Sequence, residues 1–250
     1  MDAHGELQVP SAVGTRWPCL LAALACAAAL AVVLSGFGVR LGLWDYRAGF
    51  RILGVVPYVA LAIGAVALIA LLAPRSAPRR VGPLALAFVV GTVAGAAPLA
   101  WFRILREGPP INDITTDTAN PPEFRAVIPL RGTSPVPLAY PGEATAALQR
   151  SGYPDLHAVV LSQPPAAAFD AALAAARNMG WDIVASDAAA GRIEATDTTP
   201  WFGFTDDIVI RVTPEAQGSR VDVRSLSRVG RGDLGANARR IRRYVAKLMP

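Results

Sequence analysis

The side chains best suited by type to do chemistry lie toward the C-terminal end of the chain. Asp206 and Asp207 are adjacent, Arg224, Ser225, Ser227 and Arg228 fall within five positions, and Asp233 and Asn237 follow closely. Paired carboxylates beside arginines grip a phosphate or carboxylate ligand, or position a metal ion; they serve equally well as an internal network that neutralises itself. Asp233 also suits a helix N-cap. A second oxygen-rich run comprises Asn112, Asp113, Thr115, Thr116, Asp117, Thr118 and Asn120. It lacks the spacing of an EF-hand loop and runs into Pro121-Pro122, so Asx and Thr turns account for it better than calcium does. His4 and His157 are the only histidines, too few to assemble a histidine zinc site or a Ser-His-Asp triad. There is no Walker loop, Rossmann fingerprint or G-x-S-x-G motif. These residues call for no cofactor and no metal, and they favour a binding module over an enzyme. The chemical alternative is a hydrolase or metal-dependent enzyme using Asp206 or Asp207 with Arg224 or Arg228.

The elements that must hold these side chains follow from periodicity. His157 to Ser162 reads as a strand. Pro165 to Met179 reads as a helix, with Pro165 in its first turn, Phe169, Ala172, Leu173 and Ala176 on one face, and Gly180 as its stop. Four strand candidates follow: Trp181 to Ser186, Arg192 to Thr198, Asp206 to Thr213 and Ser219 to Leu226, each with one apolar and one more polar face. The run Asp233 to Met249 places Leu234, Ala238, Ile241, Val245 and Leu248 on a helical stripe, with Arg239, Arg240, Arg242, Arg243 and Lys247 on its other faces. The order β-α-β-β-β-β-α with tight strand links predicts an α+β domain over 157–250. Its antiparallel sheet carries two helices on one face, resembling a helix-grip arrangement. Residues 103–156 are broken by eight prolines between Pro109 and Pro141 and read as an extended connector, with one short helix at Gly142 to Ser151.

Three blocks carry a resemblance: INDITTDTANPPEF (Ile111 to Phe124), WFGFTDDIVIRV (Trp201 to Val212) and VDVRSLSRVGRGDLGANARRI (Val221 to Ile241). In this order they resemble the domain of unknown function 1499 family, over roughly residues 110 to 248. The resemblance implies a domain often attached to membrane segments or exported, and it brings no catalytic residue or cofactor with it.

Ahead of this domain and after a tail at 1–16, the chain is apolar. Spans 17–39, 52–73 and 81–102 contain no charged residue, and each is long enough to cross ~30 Å of hydrocarbon at ~1.5 Å per residue. Arginines bracket them: Arg16, Arg40, Arg51, Arg75, Arg79, Arg80, Arg103 and Arg106. The first span exceeds a signal-peptide core and reads as a retained anchor. The link Arg40 to Arg51 mixes arginine with Trp44, Tyr46 and Phe50, as a headgroup-zone segment does. The spans hold no titratable acid, histidine or lysine, which argues against a proton or ion path. Gly91 and Gly95, with Ala87 before them, make a smooth helix face for packing within the chain or for a homodimer. Cys19 and Cys26 lie on one face of the first span and read as packing residues.

The net charge of +5 belongs wholly to the apolar region. Residues 1–108 carry 9 basic and 4 acidic groups, and residues 109–250 carry 15 of each. That balance argues against nucleic acid as a partner. Residues 220–250 nevertheless hold 9 basic groups against 2 acidic ones, so anionic-lipid engagement by the last helix is a second alternative. Flanking arginines number four on the N-terminal side and five on the other, a count that chooses no orientation. Arginine in place of lysine throughout, except at Lys247, together with abundant Ala, Gly and Pro, suggests a GC-rich bacterial source. The sequence therefore predicts a multi-pass protein of a bacterial plasma membrane, cell-envelope associated, presenting a binding or interaction module on the external side.

Overall fold

The computed structural model describes residues 16–73, 78–105 and 108–249. The tail, with His4, and the flanking Arg75 and Arg106 lie outside the described residues. The chain divides into two compact units, Met1–Phe102 and Arg103–Pro250.

The first unit is three apolar helices, α1 (Trp17–Arg40), α2 (Tyr46–Leu72) and α3 (Pro78–Leu105), each long and apolar enough to cross a membrane. They meet on small side chains: Ala22 and Ala25 of α1, Ala67 of α2, and Leu84 and Ala87 of α3 form one buried cluster. Small residues let helix backbones approach closely where no solvent drives them together. The expected headgroup link is shorter than its sequence suggested. Asp45 accepts from the amides of Arg47 (2.7 Å) and Ala48 (3.0 Å) and so starts α2 at Tyr46. Trp44 folds back over Gly38, where an added Cβ would lie 2.0 Å from its ring, and donates its indole N–H to the Ser35 carbonyl. The Gly91 and Gly95 face is occupied by α2 of the same chain. A Cβ at Gly91 would stand 2.6 Å from the Ala60 carbonyl oxygen, and one at Gly95 2.4 Å from Leu61 Cγ. Of the two uses expected for that face, these contacts are packing within the chain.

The second unit is α+β. In chain order it holds β1 (Asp113–Thr115), a 3-10 turn (Ile128–Arg131), α4 (Glu143–Gly152), β2 (Val159–Leu161), α5 (Pro165–Asn178), β3 (Asp182–Asp187), β4 (Arg192–Thr198), β5 (Thr205–Glu215), β6 (Gly218–Ser227) and α6 (Ala236–Leu248). All pairings are antiparallel in the order β1-β6-β5-β4-β3, and β2 pairs with the start of β6 beyond β1. From β2 onward the elements follow the sequence-predicted order. Gly218, at φ +137°, permits the last pairing: a Cβ there would lie 2.0 Å from the Leu161 carbonyl oxygen.

Alternation along each strand sends successive side chains to opposite faces. One face carries Ile193, Ile208, Ile210, Val221 and Val223 against Phe169, Ala172 and Ala176 of α5 and Ala238, Ile241 and Tyr244 of α6. Trp181 stacks on Tyr244, with ring centroids 5.2 Å apart. The other face, expected to be the polar one, is also covered. Phe124 and Val127 lie on Val209 and Leu226, flanked by Val136, Leu138 and Val184. The stretch expected to be a connector is thus the second covering layer of the domain. Its prolines exclude long helices and strands, and beyond the short ladder of β1 with β6 it binds to the sheet through side chains.

Candidate functional site

Asp206 and Asp207 are neighbours on β5 and so project to opposite faces of the sheet. This single fact divides the sequence-predicted polar cluster in two.

On the face under the proline-rich layer, Asp207 is fully buried and holds two guanidiniums, those of Arg131 and Arg228, the latter at 2.7 Å. Arg228 also donates to the Leu130 carbonyl at 2.7 Å, and Arg131 to that of Val136 at 2.7 Å. One β5 carboxylate thereby anchors the C-terminal end of the 3-10 turn. Arg224, 2% exposed, meets Asp113 of β1 in a two-pronged pair at 2.9 and 2.7 Å. The same guanidinium donates to the carbonyls of Pro122 (3.1 Å) and Leu138 (2.8 Å) and lies over the rings of Phe124 (4.9 Å) and Tyr140 (5.5 Å). Planarity and five donors suit arginine to such a site. Asp117 and the fully buried Asp222 share Arg211 and Arg220, at 2.8 to 3.2 Å. Glu194 of β4, fully buried, accepts from the amides of Arg125 and Val127 at 2.9 to 3.0 Å.

On the helix face, Arg240 sits 2.6 Å from Asp206 and 2.8 Å from Asp197, and donates to Ser225 Oγ at 3.2 Å. Asn237 accepts from Ser225 Oγ (2.7 Å) and donates to Ser227 Oγ (2.9 Å) and to the Asn112 carbonyl (3.0 Å), tying α6 to β6 and to the residue before β1. Asp233 accepts from the amides of Gly235 (2.8 Å) and Asn237 (2.7 Å). It closes the helix start as expected, although the N-cap position itself is Gly235, reached through left-handed Leu234 and Gly235. Burial pushes the Asp206 carboxyl upward against the pull of Arg240, and burial also raises Asp113 and Asp233. Burial works against the charge on Arg240, but Asp206 and Asp197 more than offset it and hold that guanidinium above its ordinary value.

The constellation of Asp206 and Asp207 with Arg224 and Arg228 is therefore not assembled. Asp207 does meet Arg228, but Arg224 belongs to Asp113 and Asp206 belongs to Arg240 across the sheet. Among the described residues, no three His, Cys, Asp or Glu side chains gather as metal ligands would. These are closed networks of the kind that costs several kcal/mol to break from one side.

Arg131, Glu194, Asp222 and Arg240 complete these networks without being site candidates by sequence. Arg240 had a local signal: Asn237, Arg240, Ile241, Tyr244 and Leu248 are all buried, a stripe of i, i+3, i+4, i+7 spacing that includes the arginine.

What remains open is a groove of about 570 Å³ beside these networks, walled by Pro110, Pro135, Pro137 and Pro141, with Asn112, Thr145 and Arg231 as polar groups and Leu226 in its lining. Arg231 is exposed, and among the described residues no carboxylate pairs with it within 4 Å. Tyr140 lines the same groove, and its buried hydroxyl has no hydrogen-bond partner among the described residues. Burial, with Asp113 nearby, pushes that phenol up to about 12. A second groove, about 450 Å³, runs along the end of α6 past His157, Val160, Arg242 and Met249.

Residues 113–248, more than half of the chain, match the family described as Protein of unknown function (DUF1499). No curated protein matches the chain.

Proposed function

We propose that this chain, which belongs to the DUF1499 family, is a membrane-anchored binding module whose ligand groove is the proline-walled one beside β1. The observation that carries this reading is convergence. Ile111, Asn112 and Asp113 from one marked block, and Leu226, Gly230 and Arg231 from another, line one groove. Within those blocks Asp113, Asp117, Asp222, Arg224, Arg228 and Arg240 are consumed in internal ion pairs. Arg231 is thus left to meet a ligand anion, with Asn112 and Thr145 as neutral hydrogen-bonding groups and the prolines as a stiff apolar wall. Concave, largely apolar surfaces with a few placed polar groups are where small ligands bind.

The test is a binding screen of the full chain in neutral nanodiscs against small carboxylates and phosphates, read by thermal shift and titration. A ligand that stabilises the wild type and loses about tenfold or more in affinity with Arg231→Ala is the expected result. A panel that leaves the wild type unshifted, or ligands that bind Arg231→Ala equally well, would sink the groove.

We place the protein in a bacterial plasma membrane, as part of the cell envelope, with a cytoplasmic N-terminus and the domain outside. The proline-rich layer and the near absence of lysine support that side. Phosphatase and fluorescent-protein fusions after Pro250 decide it: a fluorescent fusion with no phosphatase activity reverses the orientation.

A further inference from the structure

We propose that α6 docks the domain on an anionic phospholipid surface through Arg239, Arg243 and Lys247. These residues stand at i, i+4 and i+8 and so form one line along the helix. All three are exposed, and among the described residues none has a carboxylate within 4 Å. Eight other arginines of the domain are held by carboxylates, whereas these three cations share one helix line without one, Arg239 donating only to the Leu234 carbonyl. Like charges four apart repel and weaken a helix unless an external anion faces them.

The position of the line within the domain argues for lipid. Gly108, three residues after the end of α3, lies against Tyr153: a Cβ there would be 2.2 Å from the Tyr153 hydroxyl. That hydroxyl would lie 3.3 Å from a Cβ on Gly235, which in turn would stand 2.9 Å from an Arg239 guanidinium nitrogen. The Arg242 guanidinium covers the Tyr153 ring at 5.3 Å. The basic line therefore begins beside the point where the chain enters the domain, and three residues of chain span at most about 11 Å. The domain is thus joined by a short chain to a helix apolar and long enough to cross a membrane, and a membrane supplies headgroup anions to whatever is tied to it. Each cation near an anionic surface multiplies the docked population about five-fold, which makes three worth on the order of 100-fold, screened by salt. The inference is independent of the groove.

The test uses the full chain with Cys19→Ala and Cys26→Ala, a fluorophore on Ala246→Cys, and nanodiscs carrying a neutral headgroup quencher. The discs are either phosphatidylcholine alone or phosphatidylcholine with 30% phosphatidylglycerol. Stronger quenching in the anionic discs at low salt is expected. It should fall to the neutral level at 0.5 M salt and in the Arg239→Gln, Arg243→Gln, Lys247→Gln triple variant, whose unfolding temperature should match that of the parent. Equal quenching in both discs, or a triple variant still quenched in the anionic discs, overturns docking. Absence of quenching in the anionic discs, with binding of a polyglutamate peptide that the triple variant loses, assigns the line to an acidic protein and overturns the lipid.

Discussion

At the scale of single residues, the domain is held by charges that have no solvent to return to. Arg224 and Asp113 are 2% and 1% exposed, and removing one leaves the other buried and unpaired. Arg224→Met should cost about 3–5 kcal/mol of domain stability, and the double change with Asp113→Asn should cost clearly less than the sum of the two. Denaturant unfolding of the four proteins measures the coupling. The raised carboxyls give a pH signature. Among the described residues Asp233 has no arginine in an ion pair with it, and burial raises it despite the amide bonds that lower it. With its folded pKa above the unfolded value of ~3.8–3.9, the folded state holds more protons in the window between the two. Stability from this group is therefore present below that window and lost as pH rises through it. Asp233→Asn keeps an acceptor for the helix start and should remove that share of the slope of unfolding free energy against pH. The residues behind these predictions were only half legible in the sequence. The types of Asp113, Arg224 and Asp233 marked them as candidates, but a carboxylate on an alternating strand reads the same whether it faces a ligand, water or a buried arginine over a hundred positions away.

At the scale of elements, periodicity located the strands and both helices on the core face, because their burial is local and regular. It marked the second face of the sheet as the more polar one without showing that this face is covered too. Asp207, Arg211, Asp222 and Arg224 alternate with valines and isoleucines as solvent-facing residues would, and alternation separates the faces without saying whether both are covered. β1 escaped because it is three residues long and is completed by a side chain. Gln149 of α4 accepts from the Thr115 amide at 2.9 Å and donates to the Thr115 carbonyl at 2.6 Å, acting as one residue of a missing strand. Gln149→Ala should strand both groups, at about 1–3 kcal/mol each, and open the sheet edge to pairing with other chains. A lower unfolding temperature with dimers or aggregates on size exclusion is the expected result. In the apolar unit, Gly95→Leu would drive a side chain into Leu61 and the Pro57 carbonyl, which a Cβ alone would already approach to 2.4 and 2.5 Å. Overpacking of this kind costs typically about 1–3 kcal/mol, visible as earlier loss of helical signal on heating in detergent, whereas Gly54→Leu, with nothing within 4 Å of an added Cβ, should be tolerated.

At the scale of the whole molecule, the chain is two units of different composition, one of them three helices apolar enough to cross a membrane. Residues 1–108 carry the entire net charge, while residues 109–250 balance fifteen cations against fifteen anions. The structure also moves the point at which the second unit begins. Composition alone put its start near residue 157, since the prolines and turn residues before that point have no period. The ion pairs of Asp113, Asp117 and Arg131, together with the amides that Glu194 receives, put it near Gly108. The two boundaries make opposite predictions for fragments. A fragment of residues 108–250 keeps both covering layers and β1, and should unfold in one cooperative transition. A fragment of residues 157–250 keeps every strand from β2 onward and both helices of the core face, yet it exposes Val209 and Leu226 and leaves Glu194, Asp207 and Arg224 without the partners the proline-rich layer supplies. That loss of cover should leave it aggregated or without a cooperative transition, because exposed apolar strand faces associate and several buried pairs break at once. Calorimetry and proton NMR of the two fragments decide between the boundaries. A well-dispersed spectrum and a sharp transition from residues 157–250 alone would return the proline-rich stretch to the status of a connector.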